Sequence, residues 1–298
     1  MAPSEVLWDR LIRYVSATDD HIRYGEPILQ DSDLEKLDQL VEEGQLEVRA
    51  FEGNEPITAT PTTRIEKVKT LLGPLEVKNT PIIRCIGLNY KSHILESGLS
   101  LPVNPTTFIK PSYTVANHGE DIQVPRWAAS MLDYEGELAI LIGNDVKNAS
   151  EEDALDYVAG YTAGNDVSAR DWQTQPDLAG PMPQWGFSKS LDQFAPLGPV
   201  LVARHVLGEA NDLSLRTFVN GELRQQGNTS DLCFHVRRIV SFCSRGTTLQ
   251  KGSIILTGTP GGVGFSMSPP NFLKHGDEVV VDIGRIGKLR NRYVFVDE

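Results

Sequence analysis

Along most of the chain the apolar residues come in short runs broken by glycine and proline, a spacing that suits strands better than long helices. Strands are predicted at residues 11–15, 46–51, 82–86, 138–142, 157–164, 200–203, 213–219, 253–256 and 278–283. Three stretches carry the helical period instead. Residues 32–43 place Leu34, Leu37, Leu40 and Val41 on one face, with Ser32 as a candidate N-cap. Residues 150–156 open with Ser150 and Asp153, an approximate capping box, and residues 231–243 align Leu232, Val236, Ile239, Val240 and Cys243. Gly25-Glu26-Pro27 reads as a turn, and the Pro- and Thr-rich residues 55–63 read as turn-rich and without periodicity.

A doubly wound sheet needs a helix between successive strands, and few are predicted here. An α+β, mostly β chain with an antiparallel or mixed barrel-like sheet is therefore expected. Composition shifts around residues 75–81, which places a boundary between a small N-terminal α/β domain, 1–78, and a larger domain, 79–298.

Charge narrows the function. With 40 acidic against 28 basic side chains in 298 residues the net charge is -12, so nucleic acid and anionic membrane surfaces are poor partners. No apolar run approaches the roughly 18 residues that span a bilayer. Three cysteines, Cys85, Cys233 and Cys243, lack C-x-x-C spacing and point to a reducing compartment. No secretory leader or C-terminal targeting tripeptide is visible, so a soluble intracellular protein is expected, cytoplasmic, with the mitochondrion left open.

The chemistry-bearing segments are polar islands at strand ends. In Asp133-Tyr134-Glu135-Gly136-Glu137-Leu138, positions two apart share a strand face, so Glu135 and Glu137 project together. A hard divalent cation between them would relieve their repulsion; an acid-bearing face that merely meets water is the plainer alternative. Asp166, in Gly164-Asn165-Asp166-Val167-Ser168-Ala169-Arg170-Asp171-Trp172-Gln173, is a third candidate ligand or a helix N-cap. Arg170 and Gln173 stand one helical turn apart and can present donors to a carboxylate or carbonyl, or can be solvated surface residues. His93 and Glu96 stand at i, i+3, where the carboxylate can orient the imidazole as a general base, although such pairs are usually surface pairs. Lys189 and the run Thr257-Gly258-Thr259-Pro260-Gly261-Gly262-Val263-Gly264 complete the set. That run lacks Gly-Lys-Ser/Thr and the dinucleotide spacing, and is either an anion nest or a structural hairpin.

Together, Asn89-Tyr90 with His93 and Glu96, Phe108-Ile109-Lys110-Pro111, Asp133-Tyr134-Glu135 with Glu137, Asn165 to Asp171, Lys189-Ser190, and Leu256 to Gly264 resemble the fumarylacetoacetate hydrolase family, in the family's order and over about residues 82–296. The N-terminal part is much shorter than that of the tyrosine-pathway enzyme, so the chain looks more like the smaller fumarylacetoacetate hydrolase domain-containing proteins. The resemblance implies a mixed β-roll catalytic domain, a homodimer, and one Mg²⁺ or Mn²⁺, with Ca²⁺ an alternative. It places Glu135, Glu137 and Asp166 as metal ligands and His93 and Glu96 as a water-activating dyad on a lid segment. Arg170, Gln173, Lys189 and Thr259 fall near the substrate, and in the reaction that follows Lys189 or a bound water would be the proton donor. The implied reaction is hydrolysis of a C–C bond in an acylpyruvate-like 2,4-dioxo acid through a metal-stabilised enolate. β-Keto acid decarboxylation, enol-keto or double-bond isomerisation, ureidoglycolate cleavage and a non-catalytic metal-binding relative stand as alternatives.

Overall fold

A computed structural model describes residues 4–96 and 98–297, except for the side chains of Asp31, Ser32 and Glu96. The strands in chain order are β1 (Arg10–Ser16), β2 (Ile22–Pro27), β3 (Glu47–Glu52), β4 (Thr60–Leu72), β5 (Ile83–Gly87) and β6 (Thr106–Lys110). Next come β7 (Val115–Ala116), β8 (Asp121–Pro125), β9 (Leu132–Asp133), β10 (Gly136–Ile142), β11 (Val158–Asn165) and β12 (Ser168–Ala169). The last six are β13 (Ala195–Ala203), β14 (Ser214–Val219), β15 (Glu222–Asn228), β16 (Ile254–Leu256), β17 (Glu278–Ile283) and β18 (Gly287–Val296).

One long sheet runs β2-β3-β4-β1-β13-β11-β10-β16-β5-β6, a second runs β15-β14-β17-β18-β8, and β9 pairs with β12. Pairing is antiparallel except at β13–β7, β16–β5 and β18–β8. The chain is thus mostly β with a mixed, barrel-like arrangement, the class its short apolar runs imply. The N-terminal strands join the long sheet through β1 on β13, Leu11 facing Leu201.

Every residue of β10, β11 and β13 is buried, as expected where both faces of a sheet are covered. Leu138, Ile140 and Ile142 pack into one apolar cluster, while Ala139 and Leu141 pack with Ile254 and Leu256 in another.

Several local readings change. Gly25-Glu26-Pro27 lies within β2, and β4 starts inside the stretch read as turns. Most of β4 is exposed on both faces, so its sequence has no apolar alternation to read. Residues 32–43 divide into a 3-10 turn, Asp31–Lys36, and a helix, Leu37–Glu42; the Ser32 side chain lies outside the described residues. In the 150s, Asp153 N–H donates to Ser150 Oγ and the Ser150 hydroxyl donates to Asp153, yet only a 3-10 turn, Ala154–Tyr157, follows. The helix predicted at 231–243 forms as Val236–Ser244, burying Val236, Ile239, Val240 and Cys243.

Candidate metal centre and active site

Antiparallel register assembles the acidic site. The first residue of β10, Gly136, faces the last of β11, Asn165, so the acids flanking these two positions are brought to the same sheet end. Glu135 lies one residue ahead of the strand rather than within it, and two bonds keep it in line. Its N–H donates to Asn165 Oδ1 at 2.9 Å, and the Asp166 N–H donates to the Glu135 carbonyl at 2.9 Å. Between the two glutamates there is room only for glycine: a Cβ at Gly136 would lie 2.2 Å from Thr217 Oγ1. As a result Glu135, Glu137 and Asp166 each offer an oxygen within 4.8 Å of the others.

Cations brace this triad. Lys189 Nζ donates to Asp166 Oδ2 at 2.7 Å and lies 3.0 Å from Glu135 Oε2. Lys110 Nζ donates to Asp166 Oδ1 and, at 2.6 Å, to the Phe194 carbonyl. Arg170 reaches Glu135 at 2.6 Å, Asp133 at 2.9 Å and Gln173 Oε1 at 3.0 Å. Burial alone would raise the Asp166 pKa, but the Lys110 and Lys189 charges outweigh it and hold the carboxyl below its usual range. Burial and the charges of Asp166 and Glu135 push Glu137 well up, against a Gly258 N–H donated at 2.7 Å. Burial opposes the charge on Lys189 as well, but Asp166 and Glu135 win and raise its pKa.

With Glu137 ionised, as a bound cation would keep it, four carboxylates (Asp133, Glu135, Glu137, Asp166) meet three cations (Lys110, Arg170, Lys189) and leave one negative charge in a buried site. A hard divalent cation fits that deficit: the donor set is all oxygen, and metal–oxygen lengths of roughly 2.1–2.6 Å suit the spacing. With such an ion bound, the local charge would become positive and would favour an anionic ligand.

The glycine-rich turn after β16 holds protein carboxylates rather than presenting an empty nest. Gly258 N–H is directed at Glu137, and the N–H groups of Gly264 and Phe265 donate to Asp133 at 2.7 and 3.0 Å. Thr259 Oγ1 donates to the Gly136 carbonyl and accepts from Gln225 Nε2, so its hydroxyl ties this turn to β10.

Above the triad lies a cavity of about 340 Å³, lined in part by His93, Glu135, Arg170, Gln173, Lys189 and Thr259. Glu137 and Asp166 are buried beneath. His93 sits on the helix Lys91–Glu96, as the i, i+3 pairing anticipates, and the Glu96 side chain lies outside the described residues. Arg170 and Gln173 occupy one short helix, Arg170–Thr174, and both are buried, so the surface alternative does not hold for them. That helix is preceded by Ala169 at its cap position, so Asp166 does not cap it.

Sequence reasoning left four members of the site without roles. Lys110 and Asp133 are fully buried charges whose partners lie far along the chain. Asn89 donates to the carbonyls of Phe234 and Thr257 and accepts from the Phe234 N–H, fixing the end of β5 against the glycine-rich turn. Gln225 accepts from Gly136 N–H at 3.0 Å. Lys110, the one charge at the end of the Phe108-Ile109 run and just before a proline, was the readable signal.

Residues 82–294 match the family model described as fumarylacetoacetate (FAA) hydrolase C-terminal. An oxaloacetate tautomerase of Bacillus subtilis is 44% identical over 70% of this chain and 68% of its own. A caffeoylpyruvate hydrolase of Neonothopanus nambi is 38% identical over 98% of this chain and 95% of its own. Among solved structures, a 2-hydroxyhepta-2,4-diene-1,7-dioate isomerase from Mycobacterium marinum superposes with a TM-score of 0.76 at 32% identity, covering 97% of this chain and 99% of that one. Among the described residues no helix is long and apolar enough to cross a membrane.

Proposed function

The chain belongs to the fumarylacetoacetate hydrolase family, and from that premise we propose that it is a divalent-metal-dependent hydrolase of acylpyruvate-like 2,4-dioxo acids. The observation that carries this reading is His93, an imidazole lining the cavity that Glu135 also lines, so a general base and the acidic centre open onto one space. Glu135, Glu137 and Asp166 would hold the cation. Once bound, it supplies positive charge beside the 2-oxo acid end, where negative charge builds as the C–C bond breaks.

The chain's own groups do the rest. A ring nitrogen of His93 takes a proton from water, whose oxygen bonds to the distal C4 carbonyl carbon. The C3–C4 bond then breaks with its electron pair moving toward C3, the acyl part leaves as a carboxylate, and C3 is protonated to give pyruvate. One proton is released overall. Lys189 Nζ, on the cavity wall, is the donor assigned to C3. Arg170, fixed by Asp133 and Glu135, adds positive charge there, and Gln173, its oxygen held by Arg170, offers its Nε2 donor. Full-length similarity to a caffeoylpyruvate hydrolase supports the hydrolytic reading.

A second reading is tautomerisation or decarboxylation of a β-keto acid such as oxaloacetate, the tautomerisation having the support of the Bacillus subtilis relative. It uses the same centre and needs no water activation. Incubation of the purified protein and Mg²⁺ with acetylpyruvate, oxaloacetate and a 2-hydroxydienoate separates the two. Pyruvate release from acetylpyruvate is the expected result, and conversion of oxaloacetate alone would exclude hydrolysis as the main activity.

A further inference from the structure

We propose that the apolar walls of the cavity select a bulky apolar acyl group, aromatic in preference to a second carboxylate, and that Leu88 is a specificity-determining residue for it. This deepens the acylpyruvate reading above and rests on it.

The cavity is divided chemically. Glu135, Arg170, Gln173 and Lys189 bring its charge and amide groups, while much of the remaining wall, with Leu88, Phe108, Trp185, Val263 and Phe265, is apolar. At about 340 Å³ it falls at the lower end of the range, roughly 300–1,000 Å³, that encloses drug-sized ligands, more than a four-carbon diacid fills. Phe108 and Trp185 meet edge to face at 5.3 Å, a rigid aromatic corner.

A second carboxylate would need a cation. Among the described residues lining the cavity, the permanently cationic ones are Arg170 and Lys189. Each already serves two carboxylates: Arg170 those of Asp133 and Glu135, Lys189 those of Glu135 and Asp166. Their remaining faces meet rings, Lys189 Nζ 5.3 Å from the Phe108 centroid and Arg170 Cζ 5.7 Å from that of Phe265. The apolar walls therefore offer aromatic faces where a diacid would require charge.

Leu88 is the strained element of this wall. Its φ is +53°, a left-handed conformation that glycine or asparagine usually takes and a γ-branched side chain rarely does. The neighbours over-determine the turn. A Cβ at Gly87 would lie 2.3 Å from the Trp185 ring, and Asn89 is buried with its amide bonded to Phe234 and Thr257. Glycine would satisfy the backbone at position 88, so what leucine adds is an apolar side chain, 39% exposed, on the cavity edge.

The test compares kcat/KM for benzoylpyruvate, acetylpyruvate and oxaloacetate with Mg²⁺, in the wild type, Leu88→Gly and Leu88→Asn. Benzoylpyruvate is expected to exceed acetylpyruvate at least tenfold, and both variants to reduce that ratio severalfold, mainly through KM. Either variant accepts left-handed backbone, so a melting temperature at or above that of the wild type checks the fold. A ratio at or below one, or one that neither variant moves, overturns the proposal. Calorimetry with 2-oxo acids that lack a cleavable 2,4-dioxo unit reads selectivity apart from hydrolysis: phenylpyruvate binding more tightly than 2-oxoglutarate supports it, and the reverse order or parity overturns it. Selective phenylpyruvate binding without turnover of any acylpyruvate would instead sink the hydrolase reading alone.

Discussion

Replacing Lys110 with methionine tests the electrostatic account of the acidic centre. The side chain is completely buried, and its Nζ donates to Asp166 and to the Phe194 carbonyl. Methionine fills nearly the same volume, so the perturbation is the loss of charge and donors rather than a cavity. Removing one partner of a buried ion pair costs about 3–5 kcal/mol. The lower end applies here because Lys189 still neutralises Asp166 at 2.7 Å, and the Phe194 carbonyl keeps the Val167 N–H at 3.1 Å. An unfolding entropy of about 2.1 cal/mol/K per residue converts ~3 kcal/mol into a fall of about 5 °C in melting temperature for a chain of this length. The assay is differential scanning calorimetry of wild type and Lys110→Met, first in EDTA and then in excess Mg²⁺. If Asp166 belongs to the cation site, a bound divalent ion replaces part of the lost charge, so the gap should narrow in Mg²⁺. An unchanged melting temperature in EDTA refutes the buried-pair reasoning, and a gap of equal size in Mg²⁺ removes Asp166 from the ion's neighbourhood.

His93→Ala is expected to lower C–C hydrolysis about 10²-fold or more while calorimetric Mg²⁺ binding persists; normal hydrolysis would remove His93 as the base. Gly258→Ala puts a Cβ 2.8 Å from that of Asn89 at a φ of +98°. It should lose about 1–3 kcal/mol in urea unfolding and weaken Mg²⁺ binding by displacing the N–H donated to Glu137; unaltered affinity would show that this hydrogen bond does not orient the ligand. Away from the site, burial would raise the Asp38 pKa, but the hydrogen bond and charge of His118, helped by Arg290, outweigh it and lower it. A depressed carboxylate pKa contributes stability above the unfolded value, about 3.9, that is lost as pH falls through the folded one. Asp38→Asn should therefore destabilise at pH 7 and converge with the wild type in acid melts, and a pH-independent difference would contradict this.

What could be read from the sequence was what is local in the chain. Residues 138–142 are wholly apolar because β10 is covered on both faces, and 278–283 is recognisable for the same reason. β15 and β18 carry Arg224, Gln226, Lys288, Arg290 and Arg292 between their inward residues, and their pattern passes for loop. The acids Glu135 and Glu137 stand out as neighbours, whereas Asp133 looks like an ordinary surface charge and Lys110, though set off by its apolar run, shows no partner until the fold buries both. Lys110 lies 56 residues from Asp166, and Asp133 lies 131 from the Gly264 N–H that holds it. Pairings of that separation depend on register between strands, which no single segment encodes.

The glycine-rich turn shows why the site needs this long-range order. Read alone, it is either a nest for an external anion or a structural hairpin. In the fold, Gly258 holds the candidate ligand Glu137, while Gly264 and Phe265 hold Asp133, which in turn fixes the Arg170 guanidinium against Glu135. The same turn is anchored through Thr259 to the Gly136 carbonyl, between the two glutamates. Its dipoles therefore act on protein groups whose orientation must be set before any ligand arrives. Carboxylates held in this way reorganise little when a cation or an anionic substrate enters, which is where buried electrostatic sites gain most. The overall charge of -12 does not bear on this, because a single divalent ion added to four fixed acids and three fixed cations decides the local sign.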